Sequence, residues 1–288
     1  MRMGLLRKEL ADKYEMLKNV LAGYGSVAVA FSGGVDSTFL LYAAKEALGE
    51  RVIAMTARSV FFPERESEEA LSYCSELGVK HVVADEDVLS VPGIAENPVD
   101  RCYICKKNLF SRFLEVAKAE EMAVVAEGSN LDDEGDYRPG MRAIAELGIK
   151  SPLREAGLTK ADIRALSKAF GISTWDKPSF ACLASRVPYG EKLTTEKLAM
   201  VERAEQVLLT RGFKQFRVRV HEDSGRHYKD GRAVSNYLAR IEVLPEDMER
   251  FLLPEMRMAV SEELKNIGFA YVSLDLQGYR TGSLNEVL

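Results

Sequence analysis

Short apolar runs and amphipathic stretches alternate through the first 150 residues. Leu5, Leu6, Leu10, Tyr14, Leu17 and Leu21 recur at helical spacing and predict a helix over 5–22. "SVAVAF" (26–31), "RVIAMTA" (51–57), "KHVVAD" (80–85) and "AVVAEG" (123–128) read as short buried strands. Between them, residues 37–48, 63–78 and 105–122 carry helical patterns, the second closed by Gly78, a favoured helix stop. Apolar strands alternating with amphipathic helices predict a parallel sheet covered on both faces, an α/β architecture.

The rhythm slackens after residue 150. "SPLREAGLTKADIRALSKAFGI" holds one helix, with Thr159 as its N-cap. "STWDKPSFACLASRVPYGEKL" (173–193) is rich in turn formers and reads as a loop crossing between domains. Beyond it come a helix over 195–211, strictly alternating "QFRVRVH", "YLARIEVL", a helix near 254–266 and "FAYVSLDL". That order predicts a small α+β domain with an antiparallel sheet. The expected division is a domain over 1–172, an inter-domain loop over 173–193 and a second domain over 194–288.

With 288 residues the chain suggests two domains or one large one, and with nearly half of them hydrophobic it can bury a sizeable core. A formal net charge of −5 argues against general adhesion to nucleic acid or an anionic membrane, though not against a local basic pocket. No apolar run approaches the roughly 20 residues of a membrane span, and the N-terminus lacks the pattern of a signal peptide. A cytoplasmic location is therefore expected, where clustered cysteines bind metal or do chemistry more often than they form disulfides.

The strongest motif is "VAVAFSGGVDST" (27–38): a strand ends, two glycines turn, and a helix begins. Backbone N–H groups at such a turn form an anion site. Gly33 and Gly34 let the backbone approach phosphate oxygens, while Ser32, Ser37 and Thr38 add hydroxyls. The pattern is neither a Walker A loop nor a dinucleotide GxGxxG. It resembles the SGGxDS signature of the PP-loop ATP pyrophosphatases, which split ATP between its α and β phosphates and hold the pyrophosphate on the loop. "EGSNLDDEGD" alone would be a solvated acidic loop. Placed after a parallel strand on the same sheet edge, it becomes the better candidate for a second nucleotide-contacting turn through Gly128, Ser129 and Asn130. The resemblance implies that Asp36 and an acid such as Asp132 help place Mg²⁺, which prefers carboxylate and phosphate oxygens.

Cys74 sits among apolar helix positions and reads as core. Cys102 and Cys105, in "DRCYICKKNL", share one face if the helix has begun by then. Alone, the pair could be a disulfide, half a metal site, a redox couple or unliganded. A third thiol, Cys182, lies in "WDKPSFACLASR". No histidine lies close in sequence to supply the fourth ligand of structural zinc. Three thiols lean toward an iron–sulfur cluster with one open iron, and zinc stays open as an alternative.

Taken together, "SGGVDST", "NPVDRCYICKKNLF", "GSNLDDEGDYRPG", "WDKPSFACLASRVPYG", "RVRVH" and "VSLDLQGYRTGSLN" make the chain similar to the LarE sulfur transferases over almost its full length. The resemblance implies an ATP-dependent enzyme acting on pyridinium-3,5-biscarboxylic acid mononucleotide. Its carboxylates are adenylated and converted to thiocarboxylates, on the route to a nickel-pincer nucleotide. One branch of that family gives up the sulfur of its own cysteine, at the place of Cys182. Another binds a [4Fe-4S] cluster through three thiols, and Cys102, Cys105 and Cys182 place this chain there. The nucleotide-contacting set so implied is Ser32, Gly33, Gly34, Asp36, Ser37, Thr38, Thr56, Lys106, Gly128 and Asp132, with Lys107 an alternative to Lys106. Arg186, four residues after Cys182, would favour a thiolate, and Glu202 or Glu205 would act as acid or base, although a charged outer helix face explains both glutamates equally well.

In "FRVRVH" the arginines alternate with apolar residues. Arginine binds phosphate bidentately, and the resemblance makes Arg217, Arg219 and Arg240 candidates for the phosphate of the mononucleotide. From alternation alone the face would be solvent-exposed. The family also assembles into symmetric oligomers, so a homo-oligomer is expected. A tRNA thiolase of the PP-loop class is the main competing reading. An ammonia-using amidotransferase-type ligase and a nucleotide-binding module with structural zinc are the others.

Overall fold

The computed structural model describes residues 8–133, 139–178, 181–229, 232–280, 282, 283 and 286, with the backbone only for 224–229 and 232–235. The chain forms two compact units, Met1–Val91 with Asp100–Phe180, and Pro92–Val99 with Ala181–Leu288.

The first unit runs α1 (Lys8–Tyr24), β1 (Val27–Ala30), α2 (Val35–Leu48), β2 (Val52–Arg58), α3 (Glu64–Leu77), β3 (Lys80–Asp85), α4 (Arg101–Ala119), β4 (Val124–Ala126), α5 (Pro139–Glu146), α6 (Pro152–Glu155) and α7 (Lys160–Phe170). Residues 5–7 of the expected first helix lie outside the described residues. The four strands form one parallel sheet in the order β3-β2-β1-β4. The period of two in a strand sends Val27, Val29, Val52 and Ala54 into a core with α1, α2 and α7. Ala28, Ile53 and Met55 enter a second core with Phe110, Phe113 and Ile144. Both faces are thus covered by helices, as near-continuous apolar strands require. Cys74 is buried in the first core, where desolvation pushes its thiol up to about 12.

β2 and β3 lie on one side of β1 and β4 on the other. The chain therefore reverses its direction of sheet growth next to β1, and a crevice opens at the carboxyl ends of β1 and β4. The "FSGG" turn and "EGSN" both fall there. Thr159 caps α7 as expected: its hydroxyl accepts from Asp162 N at 3.2 Å, and the Asp162 carboxylate accepts from Thr159 N at 3.1 Å.

The second unit carries α8 (Thr195–Thr210), β5 (Phe216–Lys229), β6 (Arg232–Val243), α9 (Pro245–Met248), α10 (Pro254–Ile267) and β7 (Tyr271–Leu274). Its sheet has the order β5-β6-β7. β5 and β6 are antiparallel, but β7 pairs parallel to β6, from Leu238↔Tyr271 to Ile241↔Leu274. This corrects the expected antiparallel sheet. The connection through α10 is a crossover that returns the chain to the end where β6 began, and a crossover gives a parallel neighbour.

Residues 92–99 join this unit because polar bonds tie them to 187–193. Asn97, fully buried with φ 55°, donates its side-chain amide to the carbonyls of Val187 (3.2 Å) and Pro188 (2.7 Å). Its own carbonyl accepts from Gly190 N, and Ala95 O accepts from Leu193 N at 2.8 Å.

Candidate active site

The turn after β1 follows from its two glycines. Gly33 takes φ 66°, the left-handed region that favours glycine, and Gly34 precedes the first turn of α2. Ser37 Oγ accepts from Ser32 N and donates to Gly34 O, both at 3.3 Å, so the turn closes on itself. In front of it lies a cleft of about 330 Å³. Ser32, Gly34, Asp36 and Ser37 form its floor, Thr56 and Ala57 one wall, Lys106, Phe110 and Phe113 of α4 another, and Glu127 to Ser129 the rim. Aromatic walls beside an anion-binding turn suit a flat base joined to phosphates.

Seven of the ten nucleotide-contacting candidates line this cleft: Ser32, Gly34, Asp36, Ser37, Thr56, Lys106 and Gly128. Lys106 is the one of the two lysines on the cleft, since Lys107 donates to Tyr103 Oη (2.8 Å) and pairs with Glu146. Gly33 and Thr38 instead line a second cavity of about 440 Å³ behind the turn. Asp132 lines neither cavity, and its carboxylate accepts from Lys160 N at 2.7 Å. The neighbouring Asp133 lines the cleft and accepts from Asn130 N at 2.9 Å.

Two lysines that the sequence reading passed over reach this turn. Lys160 pairs with Asp36, whose other oxygen accepts from the Asn130 amide at 3.4 Å. Lys177 donates to Gly33 O at 2.9 Å. Their only local signal is a lysine beside a helix cap and a lysine before a proline. Thr56 donates its hydroxyl proton to Phe31 O (2.8 Å) and so accepts from His81 Nε2–H (2.8 Å), while burial lowers the His81 pKa. Glu127, also buried, accepts from the Ser129 and Ser151 hydroxyls at 2.7 and 2.6 Å.

Gly128 is required for space. A Cβ there would lie 3.0 Å from Ser37 N and 3.3 Å from Asp36. Gly128→Ala is expected to destabilise the first unit by about 1–3 kcal/mol through overpacking. ATP affinity should fall with it, because the clash pushes on the first turn of α2; titration of ATP beside a melting curve checks both.

α4 begins at Arg101, four residues earlier than expected, so Cys102 and Cys105 share one face of its first turns. Both are half-buried thiols outside any disulfide. They belong to the first unit and Cys182 to the second. Among the described residues, neither unit gathers three Cys, His, Asp or Glu side chains at metal-binding spacing.

In the second unit Cys182 is half-buried and opens a short 3-10 turn over Leu183–Arg186. Arg186 is 1% exposed. Its guanidinium donates twice to Glu205 (2.7 and 2.9 Å), and to the carbonyls of Ala181 (2.6 Å) and Cys182 (3.0 Å). Glu205 also accepts from Val218 N at 3.1 Å. The arginine face of β5 is buried, not solvated. Arg219 forks onto Glu242 (2.9 Å twice), and donates to Ser185 O (2.5 Å) and Ser283 Oγ (2.9 Å). Arg240 shares Glu242 (3.2 Å) and lies 3.6 Å from Asp275. Arg217 lies over the Tyr279 ring; burial, then the charge of Arg186, pull its pKa down to about 10. Among the described residues, Arg186, Arg217, Arg219, Arg240 and Arg280 lie around Glu205, Glu242, Asp275 and Glu286. A cluster of guanidiniums of this kind is suited to an anion. Glu202 is half-buried on the same helix as Glu205.

Residues 9–150 match the NAD synthase family. The chain is 38% identical to the pyridinium-3,5-bisthiocarboxylic acid mononucleotide synthase of Lactiplantibacillus plantarum, over 97% of this chain and 96% of the relative. It is also 38% identical to an uncharacterized protein of Synechocystis sp., over 97% of this chain and 99% of the other. An argininosuccinate synthase of Haloarcula marismortui is 33% identical over 48% of this chain and 35% of its own length.

Proposed function

This chain belongs to the LarE family of pyridinium-3,5-bisthiocarboxylic acid mononucleotide synthases, ATP-dependent enzymes of the PP-loop class, and from that premise we propose that it converts carboxylates of a pyridinium mononucleotide into thiocarboxylates. A carboxylate is a poor electrophile, so it must first be activated. A substrate carboxylate oxygen attacks the α-phosphorus of ATP. The new P–O bond forms as the α–β bridging bond breaks, and pyrophosphate departs. A sulfur nucleophile then attacks the acyl carbon, and AMP leaves with the former carboxylate oxygen.

Each step has residues suited to it. The turn amides and hydroxyls at Ser32–Ser37 receive phosphate oxygens, and Lys106 adds a cation on the same cleft. Asp36, whose carboxylate is paired with Lys160 and the Asn130 amide, would hold Mg²⁺ by exchanging one of these partners, and the ion would offset phosphate charge there. Arg217, Arg219 and Arg240 would hold the phosphate of the mononucleotide. The observation that carries the reading is local to the second unit. Arg186 and Arg219 donate to the carbonyls of Cys182 and Ser185, so the anion-holding cluster is built onto the turn that presents the candidate sulfur residue. Arg186 holds Glu205 as its counter-charge, which makes Glu205 a positioning residue in this scheme.

Cys102, Cys105 and Cys182 are soft thiol donors of the kind that bind iron–sulfur clusters, and a [4Fe-4S] cluster would supply inorganic sulfide chemistry when bound. The two cysteines on α4 favour this over a branch relying on Cys182 alone. The deciding experiment purifies the protein without oxygen, counts iron and sulfide, and follows AMP, pyrophosphate and thiocarboxylate by mass spectrometry. Substrate-dependent AMP with sulfur incorporation is expected. Turnover with tRNA and not with the mononucleotide would refute it in favour of a thiolase.

A further inference from the structure

We propose that Lys177 is a positioning residue for the phosphate-holding turn, acting through the Gly33–Gly34 peptide. The proposal rests on the reading that this turn receives the phosphates released as pyrophosphate. Gly33 and Gly34 both lack a Cβ, so the peptide between them can turn over against little steric resistance. Something outside the turn must then select its orientation.

The two ends of that peptide face different spaces. Gly34 lines the front cleft, while Gly33 lines the cavity behind the turn. Lys177 Nζ reaches the Gly33 carbonyl from the rear cavity and donates to it at 2.9 Å. No described peptide bond is cis, and in a planar trans peptide the C=O and N–H vectors point in opposite directions. Holding the Gly33 oxygen at the back therefore aims the Gly34 N–H at the cleft, where an anion would sit. Lys177 thus orients an anion-binding donor without touching the anion.

Lys177 is itself fixed. Its backbone is extended (φ −56°, ψ 131°), as the residue before a proline prefers. Arg164 on α7 donates to Trp175 O at 2.7 Å and to Lys177 O at 2.9 Å, and Lys177 N donates to Thr174 O at 3.0 Å. Among the described residues the ammonium has one further partner, Glu69 on α3 at 2.6 Å, whose side chain is 53% exposed. A bland reading makes Lys177 only the basic half of that surface pair, and the two readings diverge in their mutants.

Titration calorimetry of inorganic pyrophosphate and of AMP into the full-length protein separates them. Lys177→Met is expected to weaken pyrophosphate binding about tenfold and to leave AMP within about twofold, the loss of one charge-assisted hydrogen bond acting on one ligand. Lys177→Arg, which can still donate to the carbonyl, should recover most of the affinity. Glu69→Gln should bind both ligands as the wild type does. Unchanged pyrophosphate binding in Lys177→Met would overturn the proposal. So would an equal loss of AMP, or a Glu69→Gln protein as impaired as Lys177→Met. A wild-type protein that binds neither pyrophosphate nor ATP would remove the reading underneath and the proposal with it. Should Lys177→Met fail to fold, Lys177→Ala removes the same donor with less bulk and takes its place in the titrations, with the same selective loss of pyrophosphate expected and the same results overturning the proposal.

Discussion

A Cys182→Ala protein is expected to make AMP and pyrophosphate from ATP when the pyridinium substrate is present, yet to form no thiocarboxylate. Activation of the carboxylate uses the cleft of the first unit, whereas Cys182 opens a turn of the second. The side chain removed is small and half-buried, and the turn is held through backbone carbonyls by Arg186 and Arg219, so the fold should survive. Without a sulfur nucleophile the acyl adenylate would hydrolyse, and ATP use would uncouple from product. Mass spectrometry of products beside a pyrophosphate assay reads both. The same spectrum decides what Cys182 does in the wild type. Loss of one H₂S from the chain per sulfur transferred marks a sacrificial donor. An intact Cys182 after many turnovers marks a residue that only holds or relays sulfur. Thiocarboxylate formed at the wild-type rate by Cys182→Ala would exclude both roles.

Glu242→Ala should produce the largest loss of stability. Glu242 is 1% exposed and is the shared counter-charge of Arg219 and Arg240. Removing one partner of a buried pair leaves the other charge uncompensated, at about 3–5 kcal/mol. For a unit of this size that lowers the melting temperature by on the order of 15 °C or more. The neighbouring Arg217 and Arg186 would add repulsion once that carboxylate is gone. Inorganic phosphate should restore part of the loss by binding the folded cluster. Calorimetric melting with and without phosphate checks this. A shift of only a few degrees, insensitive to phosphate, would show that the arginines do not form an anion site.

Much of the candidate nucleotide cleft was legible in the chain because its signals are local. A buried strand, two glycines and a helix start lie within twelve residues, and the backbone they dictate is itself the candidate anion site. The capping box at Thr159 and the shared face of Cys102 and Cys105 are likewise set within one helical turn. The arginine alternation in "FRVRVH" was equally plain, but it says which residues share a face and not what covers it.

By itself, then, the sequence determined the parallel sheet with its glycine turn, the family, and the residues that carry its motifs, since periodicity, turn chemistry and motif order act over short stretches. Only the tertiary structure decided the rest. It buried the arginine face of β5 and matched Arg219 with Glu242, as it matched Arg186 with Glu205 and Arg240 with Asp275. It drew Asn97 and its neighbours into the second unit, laid β7 parallel to β6, and brought Lys160 and Lys177 onto the turn from more than 120 residues away. Those outcomes depend on which distant groups share a buried space. There a charge must find a counter-charge and a carbonyl must find a donor, and no local pattern in the chain specifies which distant residue that will be.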